Sequence, residues 1–529
     1  MTDRTRASDA DATGSVPLRH GPADIIGGRH VPIPGDGLRS FNPARPSQTV
    51  WMGGPVLEHV DLAIAAARRA QREWAASPAA DRFALLRAFA EVAKRREAAL
   101  AGQICDETGK AMWECKAEAA LIHQKVEITL DEAPHGGLGR VTPFGFAMSP
   151  TRRALCEFRP HGVMAVIGPY NFPAHLPNGH IVPALAAGNT VVFKPSDKAP
   201  AVGQMLGQML VEAGFPAGVI NVVQGGAATA RRLVAHDGID GVLFTGSWPV
   251  GRAIMEANLD RPGRILALEM GGNNPVVVMP DADMRQAAIE VVRCAFNTTG
   301  QRCTSTRRLI VHEAVFDRFL ALVRLGAEAL EIGDPRSAVF MGPIIRAEAR
   351  DAVLAFQRDA EAAGGEAVLR SRAMDDPGGA RGAEAGFYLT PGVLRAPRFS
   401  LSTDAARDCG CDVEVFGPLL RVAAARDLDD AMEQANATRF GLAASIFTRD
   451  PAAIERFRRE ASAGCVNVNT GTAGASSRLP FGGLGHSGNH RPAGSFSLDY
   501  CAFPVASMVE ESDAAMLPPG MRFDDSWVR

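Results

Sequence analysis

The sequence predicts an α/β protein of two doubly wound α/β lobes, and three observations lead there. After Pro160, strand-like apolar runs alternate with helical stretches as far as Val278. A second alternating region runs from about Met284 to Val466. Alternation with apolar strands is the pattern of parallel sheets covered on both faces. The third observation is length, since 529 residues are enough for several domains with large cores.

The elements follow in chain order. Roughly the first 25 residues are polar and carry Asp3, Asp9 and Asp11, which fits a floppy extension better than a secretory or acid-poor transit signal. From Glu58 to Ala133 the pattern is helical; Phe83, Leu85, Leu86, Phe89 and Val92 fall at helical spacing beside a solvated Lys94-Arg95-Arg96-Glu97 face. Short extended pieces occupy 141–158. Strands are predicted at 163–167, 190–193, 219–223, 241–244, 265–268 and 275–278, with helices near 181–187, 202–212, 227–235 and 250–258. In the second region helices are predicted at 284–296, 314–330, 346–363 and 428–436, and a strand at 419–422. Glycine-rich Pro480-Phe481-Gly482-Gly483-Leu484-Gly485 precedes a strand near 497–503 and an irregular tail.

Composition narrows the partners. Net charge is −3 with no basic stripe, which argues against nucleic acid and anionic membrane surfaces. No stretch reaches the ~18 uninterrupted apolar residues of a membrane helix. Nine cysteines without framework spacing suggest a reducing compartment, hence the cytoplasm. Cys409 and Cys411 have no second pair to complete a metal site, and His175 and His180, five apart among prolines, supply none either, so no metal is expected.

Cys303 stands apart from the other cysteines. It sits in the polar turn Gly300-Gln301-Arg302-Cys303, where Arg302 favours thiolate and lowers the pKa from about 8.5. Glu269 lies 34 residues upstream, where the apolar run 265–268 ends in a carboxylate followed by Met270, Gly271 and Gly272. A thiol nucleophile with a separate general base is the minimum for covalent chemistry at a carbonyl.

A dinucleotide groove is suggested by Phe244-Thr245-Gly246-Ser247-Trp248-Pro249-Val250-Gly251, which joins a strand to a helix whose N-terminus offers free N–H groups to phosphate. Arg252-Ala253 in place of Lys-Ser/Thr excludes a P-loop. Lys194 ends a neighbouring strand in a chain with only six lysines, and Asp197 beside it suits ribose hydroxyls and repels a 2′-phosphate, so NAD is predicted over NADP.

With these pieces assembled, the chain resembles the aldehyde dehydrogenase superfamily from about Ile26 to Pro504. The resemblance rests on Pro169-Tyr170-Asn171-Phe172-Pro173, Phe193-Lys194-Pro195-Ser196, Phe244-Thr245-Gly246-Ser247, Leu268-Glu269-Met270-Gly271-Gly272, Gly300-Gln301-Arg302-Cys303, Glu414-Val415-Phe416-Gly417-Pro418 and Pro480-Phe481-Gly482-Gly483. Within it, His175-Leu176-Pro177-Asn178-Gly179-His180, Gly271-Gly272-Asn273-Asn274-Pro275 and Ser487-Gly488-Asn489-His490-Arg491-Pro492 are similar to the N-succinylglutamate 5-semialdehyde dehydrogenases of bacterial arginine breakdown. The loop 466–471, expected at the substrate entrance, departs from that pattern in lacking Trp and Lys-Pro.

The resemblance implies a Rossmann-like NAD-binding domain (26–136 and 160–269), a catalytic domain (270–478) and a small β oligomerisation arm (137–159 and 479–504), between an N-terminal extension (1–25) and a tail (505–529). It implies a homodimer or homotetramer acting on a small aldehyde. Cys303 would form a thiohemiacetal and then a thioester, Asn171 would hold the oxyanion, and Glu269 would activate water, favouring hydrolysis over transfer to coenzyme A. Lys194 and Asp197 would hold the adenine-side ribose, residues 246–251 (Gly246, Ser247, Trp248, Pro249, Val250, Gly251) would border the pyrophosphate, and Glu414 with Phe416 would steady the nicotinamide end. Arg302 and Arg491 are candidates for the carboxylates of an acidic aldehyde. The alternatives are the same chemistry on another acidic semialdehyde such as succinate semialdehyde, or a catalytically idle NAD-binding scaffold.

Overall fold

The computed structural model describes residues 20–374, 385–401, 413–513 and 515–529. Most of the expected N-terminal extension (1–19), the two cysteines set aside as a metal pair, Cys409 and Cys411, and a short piece of the tail lie outside the described residues.

Two seven-stranded sheets organise the chain. In the first, Ile265–Glu269, Gly241–Thr245, Val163–Ile167, Thr190–Lys194 and Ile220–Val222 lie side by side and parallel, and the hairpin Ala23–Ile26/Arg29–Pro32 adds an antiparallel edge. The parallel strands Val163–Ile167, Thr190–Lys194 and Gly241–Thr245 are buried at every position, which is why they read as apolar runs apart from Thr190, Lys194 and Thr245 at their ends. Helices cover both faces, one core gathering Phe89, Ile104 and Leu206 and the other Val60, Val242 and Phe244. Chain order reverses at Val163–Ile167, whose neighbours are Thr190–Lys194 on one side and Gly241–Thr245 on the other. Ligands of such sheets sit beyond the carboxyl ends of the strands at this switch point.

The second sheet runs Glu366–Leu369, Gly392–Arg395, Leu419–Ala425, Thr306–His312, Asn274–Val278, Ala443–Phe447 and Cys465–Val468, parallel except at the Glu366–Leu369 edge. A separate three-stranded antiparallel sheet joins Phe144–Ala147, Arg152–Pro160 and Ala502–Glu510. Among the described residues no helix is long and apolar enough to cross a membrane.

Several elements differ from expectation. Ala23 and Ile25 are buried in a strand, because the edge hairpin closes the first sheet. The helix expected from 181 starts at His175; Pro177 falls in its first turn, where no N–H is needed, and Pro183 is accommodated inside it. The strand expected at 497–503 begins at Ala502, after a 3-10 turn over Ser495–Tyr500, and continues to Glu510. Residues expected in the entrance loop form the strand Cys465–Val468, hydrogen-bonded in the second sheet, and the segment after it lines the cavity instead.

Candidate active site

The cysteine turn leaves helix Met284–Phe296 and enters strand Thr306–His312 through a left-handed stretch: φ is 51° at Thr298, 54° at Thr299 and 69° at Gly300. Only glycine fits the third position, since a Cβ there would lie 2.0 Å from the Gly417 carbonyl. Glu114, on helix Met112–Thr129, holds the two ends of the turn. It accepts from the Thr298 N–H at 2.9 Å, the Thr298 hydroxyl at 2.7 Å and Arg302 Nη2 at 2.7 Å. Arg307, fully buried, donates to the carbonyls of Gly300 (3.3 Å), Arg302 (2.8 Å) and Val415. Asn171, just past strand Val163–Ile167, donates from Nδ2 to the Gln301 carbonyl at 3.0 Å.

Glu269 closes strand Ile265–Glu269 and is buried. The Ala493 N–H faces the carboxyl, Oε2 has no partner among the described residues, and burial raises its pKa well above the ordinary carboxylate range. Gly482 passes so close that a Cβ would fall 2.9 Å from Oε1. Cys303 and Glu269 line one cavity of about 200 Å³, with Phe172, His180, Lys125 and Ser476. The thiol contradicts its sequence-based expectation. Burial, followed by the carboxylates Glu414 and Glu269, pushes it up to about 12, against the weaker opposing pull of Arg307 and Arg302. His175 and His180 are pushed down to about 3, by burial first, and stay neutral. His180 pairs with the Tyr500 hydroxyl at 2.9 Å and the Thr245 hydroxyl at 3.2 Å. Among the described residues no group of three or more His, Cys, Asp or Glu is placed to hold a metal.

The residues singled out for a dinucleotide gather at the carboxyl ends of the first sheet. Gly246 donates to the Glu269 carbonyl at 3.0 Å, and Ser247 precedes helix Trp248–Glu256 without capping it. Pro249 lies in the first turn, which carries no acid, so the N-terminal N–H groups remain open to an anion. Val250 is exposed and Gly251 buried against Met270. Trp248 stacks on His486, ring centroids 3.9 Å apart. Lys194 Nζ donates to the carbonyls of Pro195 (2.5 Å) and Gly225 (2.7 Å); burial draws its pKa down to about 8, with Asp197 opposing. Glu414 accepts from the Gly272 N–H at 3.0 Å and lies 3.8 Å from Arg307. Phe416 meets Tyr170 edge-on at 6.0 Å. Both glycines of Gly271-Gly272 are needed for this approach: a Cβ would fall 1.9 Å from Glu414 Oε2 at the first and 2.6 Å from the Cys303 carbonyl at the second. These groups fit a dinucleotide: free N–H donors for phosphate, a cation at a strand end, and a carboxylate beside the nucleophile.

The two arginines proposed for substrate carboxylates are placed otherwise. Arg302 lines the cavity but is paired with Glu114. Arg491 is exposed, donates to the His490 carbonyl at 3.2 Å and lies outside the cavity lining. Sequence reasoning missed Lys125, Glu114 and Asn274; the signal available for Lys125 was a scarce lysine among the apolar residues of a helix.

Residues 34–503 match the family model described as the aldehyde dehydrogenase family. The N-succinylglutamate 5-semialdehyde dehydrogenase of Sphingopyxis alaskensis is 43% identical over 92% of this chain and 96% of its own length. The Caulobacter vibrioides protein called N-succinylglutamate 5-semialdehyde dehydrogenase 1 is 46% identical over 87% and 94%. Among solved structures, a 1-pyrroline-5-carboxylate dehydrogenase from Thermus with bound NAD superposes with a TM-score of 0.83 at 30% identity, covering 92% of each chain.

Proposed function

The chain belongs to the aldehyde dehydrogenase family, and from that premise we propose that it oxidises N-succinyl-L-glutamate 5-semialdehyde to N-succinyl-L-glutamate with NAD, in arginine catabolism. The observation that carries the reading is the shared cavity of Cys303 and Glu269 beside a groove fitted for a dinucleotide. The names of the relatives support the substrate, and the bound NAD of the Thermus neighbour supports the cofactor.

Cys303 Sγ, its proton released to solvent, attacks the aldehyde carbon as the carbonyl π pair moves onto oxygen, giving a thiohemiacetal. The Cys303 N–H and the Asn171 Nδ2 hydrogen not given to Gln301 stabilise its oxyanion, and losing one such donor typically costs ~10²–10³ in rate. A bound NAD would supply the acceptor for the hydride that leaves this carbon. Glu269, buried in this cavity with its pKa raised, holds a proton strongly once it has taken one. It draws that proton from water, whose oxygen displaces the cysteine sulfur and releases the carboxylic acid. A base in this position favours hydrolysis over transfer to coenzyme A.

Lys194 and Asp197 hold the adenine-side ribose, residues 246–251 the pyrophosphate, and Glu414 with Phe416 the nicotinamide end. The three-stranded sheet, with exposed Phe144, Phe146, Phe503 and Met508, supports a homodimer or homotetramer. The cysteine usage supports a cytoplasmic location.

NADH formation measured with the succinylated semialdehyde, succinate semialdehyde, glutamate semialdehyde and aliphatic aldehydes tests the reading. The largest kcat/KM is expected for the succinylated compound. A larger value elsewhere reassigns the substrate, product only with added coenzyme A removes the hydrolytic assignment, and a lower KM for NADP than NAD removes the cofactor preference.

A further inference from the structure

Lys125 is a buried cation in the reacting cavity with no acid paired to it among the described residues. It projects from the inward face of helix Met112–Thr129, where Ile122, Val126 and Thr129 are buried with it. Its Nζ donates to the Gly494 carbonyl at 2.6 Å and to the Ser497 hydroxyl at 3.2 Å, both uncharged. An ammonium has three N–H donors, so one is left for a ligand. The other cations nearby are committed: Lys110 to Glu118 at 2.5 Å, and Arg302 to Glu114 at 2.7 Å. A buried ammonium without a counter-ion is costly, and a bound anion offsets that cost. Burial draws Lys125 down to about 8, and its charge helps keep His175 and His180 neutral.

We propose that Lys125 is the specificity-determining residue of this site: its ammonium, with the hydroxyls of Ser476 and Ser477 on the same cavity wall, receives a carboxylate of the substrate. The proposal rests on the reading of the site as one for an acidic semialdehyde and supplies the receptor that Arg302 and Arg491 do not. An aldehyde selected this way carries its carboxylate remote from the reacting carbon.

The test is steady-state NADH formation at saturating NAD, comparing wild type with Lys125→Met and Lys125→Arg on N-succinylglutamate semialdehyde and on hexanal. The ratio of kcat/KM for the acidic over the neutral aldehyde is expected to fall at least ~30-fold in the Met variant, through KM, and to be partly restored by Arg. Equal losses on both aldehydes, or an unchanged ratio, overturn the proposal. A wild type that prefers succinate semialdehyde, with that preference lost in the Met variant, removes the succinylated substrate and supports the receptor. A wild type that prefers the succinylated compound, with no change in the Met variant, removes the receptor alone. Should the Met variant not fold, competitive inhibition of the wild type by N-succinylglutamate between about pH 6.5 and 9.5 decides. Inhibition is expected to weaken as Lys125 loses its proton. Among the groups facing it, burial pushes the Cys303 and Cys501 thiols and the Tyr500 hydroxyl up and His175 and His180 down, out of that range, and a Glu269→Gln background removes the buried carboxyl. A flat profile in that background overturns the proposal.

Discussion

The Asn274 side chain ties the cysteine turn to the second sheet: Nδ2 donates to the Cys303 carbonyl at 2.7 Å and the Ser305 carbonyl at 2.8 Å, while Oδ1 accepts from the Ala443 N–H at 3.0 Å. One side chain therefore fixes the peptide plane next to the nucleophile to strands Asn274–Val278 and Ala443–Phe447. In Asn274→Ala, two carbonyls and an N–H lose their partner, at about 1–3 kcal/mol per buried group. We expect kcat/KM to fall ~10²-fold, the scale of a small misplacement of reacting atoms, together with a lower Tm. A variant of full activity would separate the turn's position from this clamp.

The Cys303 thiol, pushed up to about 12, is protonated at neutral pH in the protein without cofactor. Its alkylation by iodoacetamide, taken as the difference from Cys303→Ser, should rise about tenfold per pH unit from roughly pH 7 to 10, because only the thiolate reacts. A plateau near pH 7 would show a thiolate already formed. Aldehyde oxidation should be absent in Cys303→Ser.

For Glu269→Gln, the expected outcome is a split between half-reactions. The thioester should form and wait, so rapid mixing should show a burst of about one NADH per site, then turnover reduced ~10²–10⁴-fold. Loss of the burst along with turnover would place Glu269 in the first step instead.

Lys125 links substrate recognition to stability. Its folded pKa of about 8 lies below the ordinary 10.5. Below pH 8 both folded and unfolded chains hold the proton, and the folded state bears the whole cost of the buried charge. Between pH 8 and 10.5 the unfolded chain binds more protons, so this cost shrinks as pH rises. The stability of Lys125→Met relative to wild type should therefore fall across that window, by on the order of 3 kcal/mol. Denaturant melts at several pH values measure it, and a pH-independent difference would contradict the shifted lysine.

The parallel strands were legible because burial on both faces leaves no polar side chain in Val163–Ile167 and only the terminal Thr245 in Gly241–Thr245. Glu269 and Cys303 were legible because a reactive group at a strand end or turn is flanked by glycines that make room for its neighbours. The edge hairpin at Ala23–Pro32 was hidden by its short, mixed pattern, and the start of helix His175–Ala186 by prolines. The thiol's environment was misread because Arg302 is adjacent in sequence, whereas the acid that pairs with it, Glu114, is 188 positions away. Lys125 was passed over because helical periodicity assigns a buried role to its apolar neighbours and a solvated one to lysine.

Glu114 and Lys125 belong to one helix, Met112–Thr129, eleven positions apart. The first pins the left-handed turn before the nucleophile, and the second meets the remote end of the substrate. With a rise of about 1.5 Å per residue, the two lie about 16 Å apart along the helix axis and, three turns on, on nearly the same face. The turn that presents the nucleophile and the cation of the cavity are therefore held by one rigid element. One residue inserted between the two positions would swing them about 100° out of phase, so the turn and the cation could no longer be served from one face of the same helix.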